Sequence, residues 1–191
     1  IWDLWSDLSI SDFYNKVGSY VGNNFYENYE EDIKLMKSLH LDSFRTSIQW
    51  TRLLDENGKI NPLGAAFYHK VIACAKDNQM KPFMNLYHFD MPEALYLRGG
   101  WENREVVEAY ANYARQAFRE FGREIKYWFT FNEPIVEPDQ RYRNGVWYPF
   151  IRDARRGLNV QYNISLAHCL GVEEFHRAKS KGFVRDDAKI G

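Results

Sequence analysis

Asn132 and Glu133 set an amide beside a carboxyl where the apolar run Phe129-Thr130-Phe131 meets Pro134. The stretch from Tyr127 to Phe131 is aromatic and β-branched, as a buried parallel strand should be, and Pro134 cannot continue a central strand's hydrogen bonding. Glu133 is therefore expected at a strand's carboxyl end. Parallel barrels gather their catalytic groups there, although a solitary Glu at such a place is often only a solvated charge. Two other strand-like runs end in comparable groups. His88 closes Asn85-Leu86-Tyr87-His88, where its ring nitrogens can bond a hydroxyl and the aromatic neighbours Tyr87 and Phe89 can pack on a sugar face. Alone, His88 would read as a capped structural histidine. Arg45 lies within Phe44-Arg45-Thr46-Ser47-Ile48, where a cation is costly unless a carboxylate faces it, so something acidic is expected to oppose it.

A carboxyl beside hydroxyl-binding groups fits glycoside hydrolysis, in which one acid protonates the departing oxygen and a second carboxylate attacks the anomeric carbon. In the retaining version the two carboxyls stand about 5 Å apart, and their repulsion helps keep the acid protonated until the nucleophile is esterified. Glu133 is the candidate acid/base. His40, His69, His88, His168 and His176 have no paired ligand spacing, and no phosphate loop ending in Lys-Ser/Thr occurs, so neither a metal nor a cofactor is expected.

The elements that must position these groups follow from periodicity. Phe25, Tyr29, Ile33 and Met36 predict a helix from about Asn24 to His40, before a strand over Ser43 to Ile48. Asn61-Pro62 opens a second helix with an inner stripe of Phe67, Val71 and Cys74, before a strand over Lys81 to His88. Asn103 caps a third helix lined by Val106, Tyr110, Ala114, Ala117 and Phe121 and ended by Gly122. Tyr127 to Glu133 is the third strand. A long Arg-rich connection leads to a fourth helix over about Asn159 to Lys179, with Ile164, Ala167, Gly171 and Phe175 in step. Helices alternating with buried strands require a parallel sheet with helices packed outside it, open or closed.

The chain has 191 residues, 45% hydrophobic and 17% aromatic, enough to bury a core. Lys+Arg 25 against Asp+Glu 26 gives no field that would draw nucleic acid or an anionic membrane. No apolar run has the length of a membrane span and no leader pattern is present, so a cytoplasmic location is expected, with Cys74 and Cys169 reduced and partly buried. No flexible linker divides the chain, and residues 1–191 read as one structural unit. Ile1-Trp2-Asp3-Leu4-Trp5 begins inside an aromatic segment and Lys189-Ile190-Gly191 resembles the start of a strand. A piece of a longer protein is expected, needing partner strands for its open edges, with a homo-oligomer also admitted.

These segments resemble glycoside hydrolase family 1, the β-glucosidase and 6-phospho-β-glycosidase family. The matching runs are Phe44 to Arg52, Tyr87-His88-Phe89-Asp90-Met91-Pro92, Gly99-Gly100-Trp101 and Thr130-Phe131-Asn132-Glu133-Pro134, in family order. The resemblance implies a partial (β/α)8 TIM barrel, with about strands 2–4 and their helices in this chain and the first strand and C-terminal half outside it. It also implies that Glu133 is the general acid/base, Asn132 bonds the sugar's 2-hydroxyl, His88 bonds the glycone and Arg45 stands against the nucleophile. Many members carry Trp where this chain has Phe89, and the glycone-binding Gln near the family's first strand has no counterpart.

The family's nucleophile belongs to a Thr-Glu-Asn-Gly type motif, which is absent, so these residues alone are expected to be inactive. The region from Glu137 through Phe150 is similar to the bacterial 6-phospho-β-glucosidase branch, implying a β-linked disaccharide or aryl glycoside carrying a 6-phosphate. Arg141, Arg143, Arg152, Arg155 and Arg156 read as positive charge near the mouth or as a solvated loop. Trp147 is a candidate aglycone contact, while Trp101 reads as packing of a turn after Gly99-Gly100. The alternatives are a β-glucosidase or β-galactosidase for unphosphorylated substrates and a non-catalytic sugar-binding module, the latter favoured by the missing nucleophile.

Overall fold

The computed structural model describes residues 1–18 and 21–191. Its elements are α1 (Trp2–Leu8), α2 (Phe25–Ser38), β1 (Ser43–Ser47), α3 (Trp50–Leu53), α4 (Pro62–Asp77), β2 (Lys81–Tyr87), α5 (Glu93–Leu97), α6 (Arg104–Phe121), β3 (Tyr127–Phe131), α7 (Val136–Pro138), α8 (Ala154–Ser180) and β4 (Lys189–Ile190). The strands form a sheet in the order β1-β2-β3-β4, every neighbouring pair parallel. Ser47 lies level with Asn85, and Tyr87 with Phe131, so the carboxyl ends of the first three strands come to one edge. Among the described residues no helix is long and apolar enough to cross a membrane.

Local chemistry explains most boundaries. The Asn61 side chain accepts from Leu63 N and the Asn103 side chain from Glu105 N, capping α4 and α6 as their sequences predict. Gly122 follows α6 where a β-carbon would meet Phe118 O at 2.3 Å and Val184 Cγ2 at 2.6 Å. The expected stripes of α6 and α8 are both buried. Three readings differ from what forms. The fourth helix starts at Ala154, five residues before the apolar stripe announces it, because Asp153 accepts from Arg155 N and Arg156 N and nucleates the first turn. In α4, the stripe Phe67-Val71-Cys74 faces α2, where Ile33, Val71, Ala75 and Met80 make a satellite cluster, while Ala65, Tyr68 and Ile72 face the main core. Cys169 is exposed rather than partly buried, because its position on α8 falls on the outer face, and Cys74 is half-buried.

The main core is aromatic where α6 meets the sheet. Phe118 packs edge-on against Trp128 at 5.0 Å, and Trp50 stacks on Tyr113 at 5.0 Å. Two buried tyrosines of α6 also carry hydrogen bonds: the Tyr110 hydroxyl donates to Thr130 O at 2.7 Å, and the Tyr113 hydroxyl lies 2.5 Å from Ile48 O and 2.8 Å from Leu86 O. The helix is thereby fastened to the ends of three strands. Outside the core, His69 of α4 bridges Glu120 and Glu124 at 2.9 and 2.7 Å, joining α4 to the end of α6.

Tyr113→Phe keeps the ring and removes the one hydroxyl proton that lies between two buried carbonyls. The expected cost is about 1–3 kcal/mol of unfolding free energy, read as a lower urea midpoint at unchanged slope.

Candidate active site

Along β1 to β3 one face of the sheet carries Arg45, Phe83, Tyr127 and Phe129. Phe83 stacks on Tyr127 at 4.4 Å, and the Arg45 guanidinium lies 5.3 Å from the centre of the Phe129 ring. The expected acidic partner of Arg45 is not found: among the described residues no carboxylate lies within ion-pair distance of it. Within this chain Arg45 is exposed and its guanidinium rests against the Phe129 face.

Pairing in β2 stops at Tyr87 rather than at the predicted His88, because the chain turns sharply there. Phe89 takes a left-handed backbone, φ 68°, and the Asp90 carboxylate turns back to accept His88 N at 3.1 Å. The other Asp90 oxygen accepts Trp50 N at 3.0 Å, at the head of α3. Burial is the largest influence on Asp90 and pushes its pKa up to about 6, against the lowering effect of those backbone donors. The turn leaves the His88 ring exposed, with Phe89 buried beneath it. Partial burial holds the His88 pKa below its usual value, the Arg45 charge lowers it further, and Glu133 partly opposes both. The neutral imidazole that results can both donate to and accept from a hydroxyl.

β3 ends similarly. Its ladder stops at Phe131, yet Asn132 N still donates to Tyr87 O at 2.8 Å, so Asn132 stands directly beside His88. Glu133 follows with φ 42°, a left-handed conformation that costs a non-glycine residue on the order of 1–3 kcal/mol unless its surroundings enforce it. The exposed Glu133 thus projects from a tight turn, with Val136 N donating to its carbonyl at 2.9 Å. His88, Asn132 and Glu133 meet just past the ends of β2 and β3, while Arg45 stands midway along β1, level with Phe83 and Tyr127 and near enough for its charge to act on His88. Trp147 is half-buried in the loop beyond β3, edge-on to Trp2 at 5.1 Å and to Phe89 at 5.4 Å, with one residue between it and His88 in the packing. Trp101 is buried behind Tyr87.

A cavity of about 450 Å³ opens beside His88, lined also by Arg45, Ser47, Gln49, Tyr68 and Asp90. A larger one, about 780 Å³, lies between the Leu54–Gly58 turn and α5 and touches none of Arg45, His88, Asn132 and Glu133. Chemistry is the better guide here than size.

The Arg-rich connection is not a solvated loop. Arg141 is 1% exposed and pairs with the equally buried Glu137 at 2.9 Å, Arg143 is held by Asp139 and Gln161, and Arg156 makes a two-pronged pair with Glu102 at 2.7 and 2.6 Å. Arg152 and Arg155 remain exposed. Sequence reasoning passed over Glu137, Asp90 and the hydroxyl of Tyr87. The four-residue spacing from Glu137 to Arg141 is a helical ion-pair signal, and an Asp following His88-Phe89 is a turn signal.

The family model for Glycosyl hydrolase family 1 matches residues 1–191. The chain is 44% identical over 183 residues to 6-phospho-beta-glucosidase GmuD of Bacillus subtilis, covering 95% of this chain and 39% of that protein. It is 36% identical over 163 residues to Beta-glucosidase A of Thermotoga maritima, covering 85% of this chain and 36% of the relative. A solved structure of beta-glucosidase from Thermotoga maritima in complex with glucoimidazole aligns over 100% of this chain and 42% of its own, with a TM-score of 0.90 at 33% identity. The chain thus spans well under half the length of these relatives, and its parallel arc is part of an α/β barrel.

Asp90 binds its proton more tightly folded than unfolded. Its contribution to stability is therefore full below the unfolded pKa near 4 and is lost as pH rises through about 6. Comparing urea unfolding of wild type and Asp90→Asn from pH 4 to 7 should show a falling component of up to about 3 kcal/mol in wild type that the variant lacks.

Proposed function

Because the chain belongs to glycosyl hydrolase family 1, we propose that the whole protein carrying it is a retaining β-glycoside hydrolase with Glu133 as its general acid/base. The observation that carries this reading is the meeting of Glu133, Asn132 and His88 at one edge of the sheet, with Arg45 of β1 near enough for its charge to act on His88. In the first step Glu133 gives its proton to the glycosidic oxygen while a carboxylate supplied by another part of the barrel attacks the anomeric carbon. In the second, Glu133 takes a proton from water as the sugar ester is hydrolysed. Asn132 bonds the 2-hydroxyl and the neutral His88 bonds the glycone. Arg45, free of any carboxylate partner among the described residues, pairs with the incoming nucleophile and keeps it ionised.

The preferred substrate in this proposal is a 6-phosphorylated β-glucoside. The support is the higher identity to the 6-phospho-beta-glucosidase GmuD, 44% against 36% for Beta-glucosidase A, together with the Glu137–Phe150 region. Buried or paired as they are, Arg141, Arg143 and Arg156 do not serve as phosphate ligands, and the phosphate is gripped elsewhere in the barrel. A β-glucosidase acting on free sugars is the second reading, favoured by the Thermotoga maritima protein matched in both sequence and structure.

Two experiments test these statements. In the whole protein, Glu133→Gln should lower kcat/KM roughly 10²–10⁴-fold for an aryl glycoside with a poor leaving group, and far less for a dinitrophenyl glycoside. Equal effects on both would remove Glu133 from the acid's role. An aryl β-glucoside 6-phosphate should be hydrolysed in preference to the unphosphorylated glucoside, whereas the reverse preference selects the second reading. Residues 1–191 alone should turn over neither, since they lack the nucleophile.

A further inference from the structure

Resting on the reading of Glu133 as the acid/base, we propose that Glu137 is its positioning residue, acting through Tyr87. Tyr87 bonds to both flanks of Glu133. Upstream, its carbonyl accepts Asn132 N at 2.8 Å, and downstream, its hydroxyl donates to Glu137 Oε2 at 2.7 Å. Glu133 is held between these two points in a left-handed conformation that a β-carbon disfavours, φ 42°. Among the described residues no other hydrogen bond joins this turn to β2.

Further contacts hold the anchor. Trp101 Nε1 donates to the Tyr87 hydroxyl at 3.2 Å, and Asn85 Nδ2 donates to the Tyr87 carbonyl at 2.8 Å. The second oxygen of Glu137 pairs with Arg141 at 2.9 Å, and Arg141 Nη1 donates to Tyr148 O at 2.5 Å. The rings of Trp2 and Trp147 lie 5.1 and 5.7 Å from the Arg141 guanidinium. With Glu137 3% and Arg141 1% exposed, water does not compete for these contacts. A buried ion pair is a poor source of stability, and apolar residues of similar volume often serve packing as well. What they cannot do is set direction. The Glu137 carboxylate fixes the register of the segment after Glu133 against the end of β2, and so the line along which the acid meets the leaving oxygen.

The test compares wild type, Glu137→Gln and Tyr87→Phe in the whole protein, on an aryl glycoside whose phenol needs protonation and on a dinitrophenyl glycoside that leaves without it. Glu137→Gln should lower kcat/KM for the first about 100-fold and leave the second nearly unchanged. Tyr87→Phe should give the same dependence on the leaving group at smaller amplitude, and its result decides the matter by itself if Glu137→Gln fails to fold. Equal losses on both substrates, or no loss on either, overturn the proposal and leave Glu137 a packing residue. Wild type that cleaves neither substrate, or Glu133→Gln without dependence on the leaving group, overturns the acid/base reading instead, and the proposal with it.

Discussion

Two hydroxyl groups on one helix hold the working edge of this sheet together. Parallel strands that stop at the same level leave carbonyls that no neighbouring strand can satisfy, and buried orphans of that kind are costly. Here α6 presents Tyr113 to the carbonyls of Ile48 and Leu86 and Tyr110 to that of Thr130. Burial holds both phenols well above their usual pKa, so they remain donors. Other backbone groups at this edge are satisfied in the same manner: Gln49 N donates to the Tyr68 hydroxyl, and Asp90 collects His88 N and Trp50 N. Side chains from the helical layer thus take over the sheet's role where its own ladder ends, and the strand-end residues inherit a rigid floor.

Much of this was legible in the residues because the signals were local. An apolar stripe at helical spacing and a capping Asn place α6 to within a residue of its observed start, and Pro134 with the aromatic run before it places the end of β3 two residues late, at Glu133 instead of Phe131. The meeting of His88 and Glu133 was legible because each closes its own strand, a relation that parallel pairing turns into proximity, whereas Arg45, midway along β1, comes near them because that strand is the parallel neighbour of β2. What escaped was non-local. Nothing in the neighbourhood of Asp90 announces that it will cap a helix beginning at Trp50, and the partner of Glu137 across the sheet, Tyr87, lies far back in the chain. The Arg-rich connection misled for a different reason: charge suggests solvent, yet Arg141 is among the most buried large side chains, flanked by tryptophans. An arginine's planar cation tolerates burial against aromatic faces where a lysine's ammonium would not.

The charges at the site are arranged unevenly. Within this chain Arg45 and Glu133 are exposed and Asp90 is half-buried, while the Glu137–Arg141 pair is withdrawn from water. In the proposed mechanism, the groups that change protonation or meet a substrate are thereby separated from those that hold the backbone. His88 sits on the border between the two sets, its imidazole kept neutral by partial burial and by Arg45.

Asp90 has a consequence for how such a scaffold can diversify. Barrels acquire new specificities by exchanging the loops that follow their strands, and each loop is ordinarily a separate module. Here one carboxylate holds the chain leaving β1 and the chain leaving β2 at once. The two loops are inherited as a single part, so a graft that brings in one of them without its mate leaves an N–H of the recipient with no acceptor.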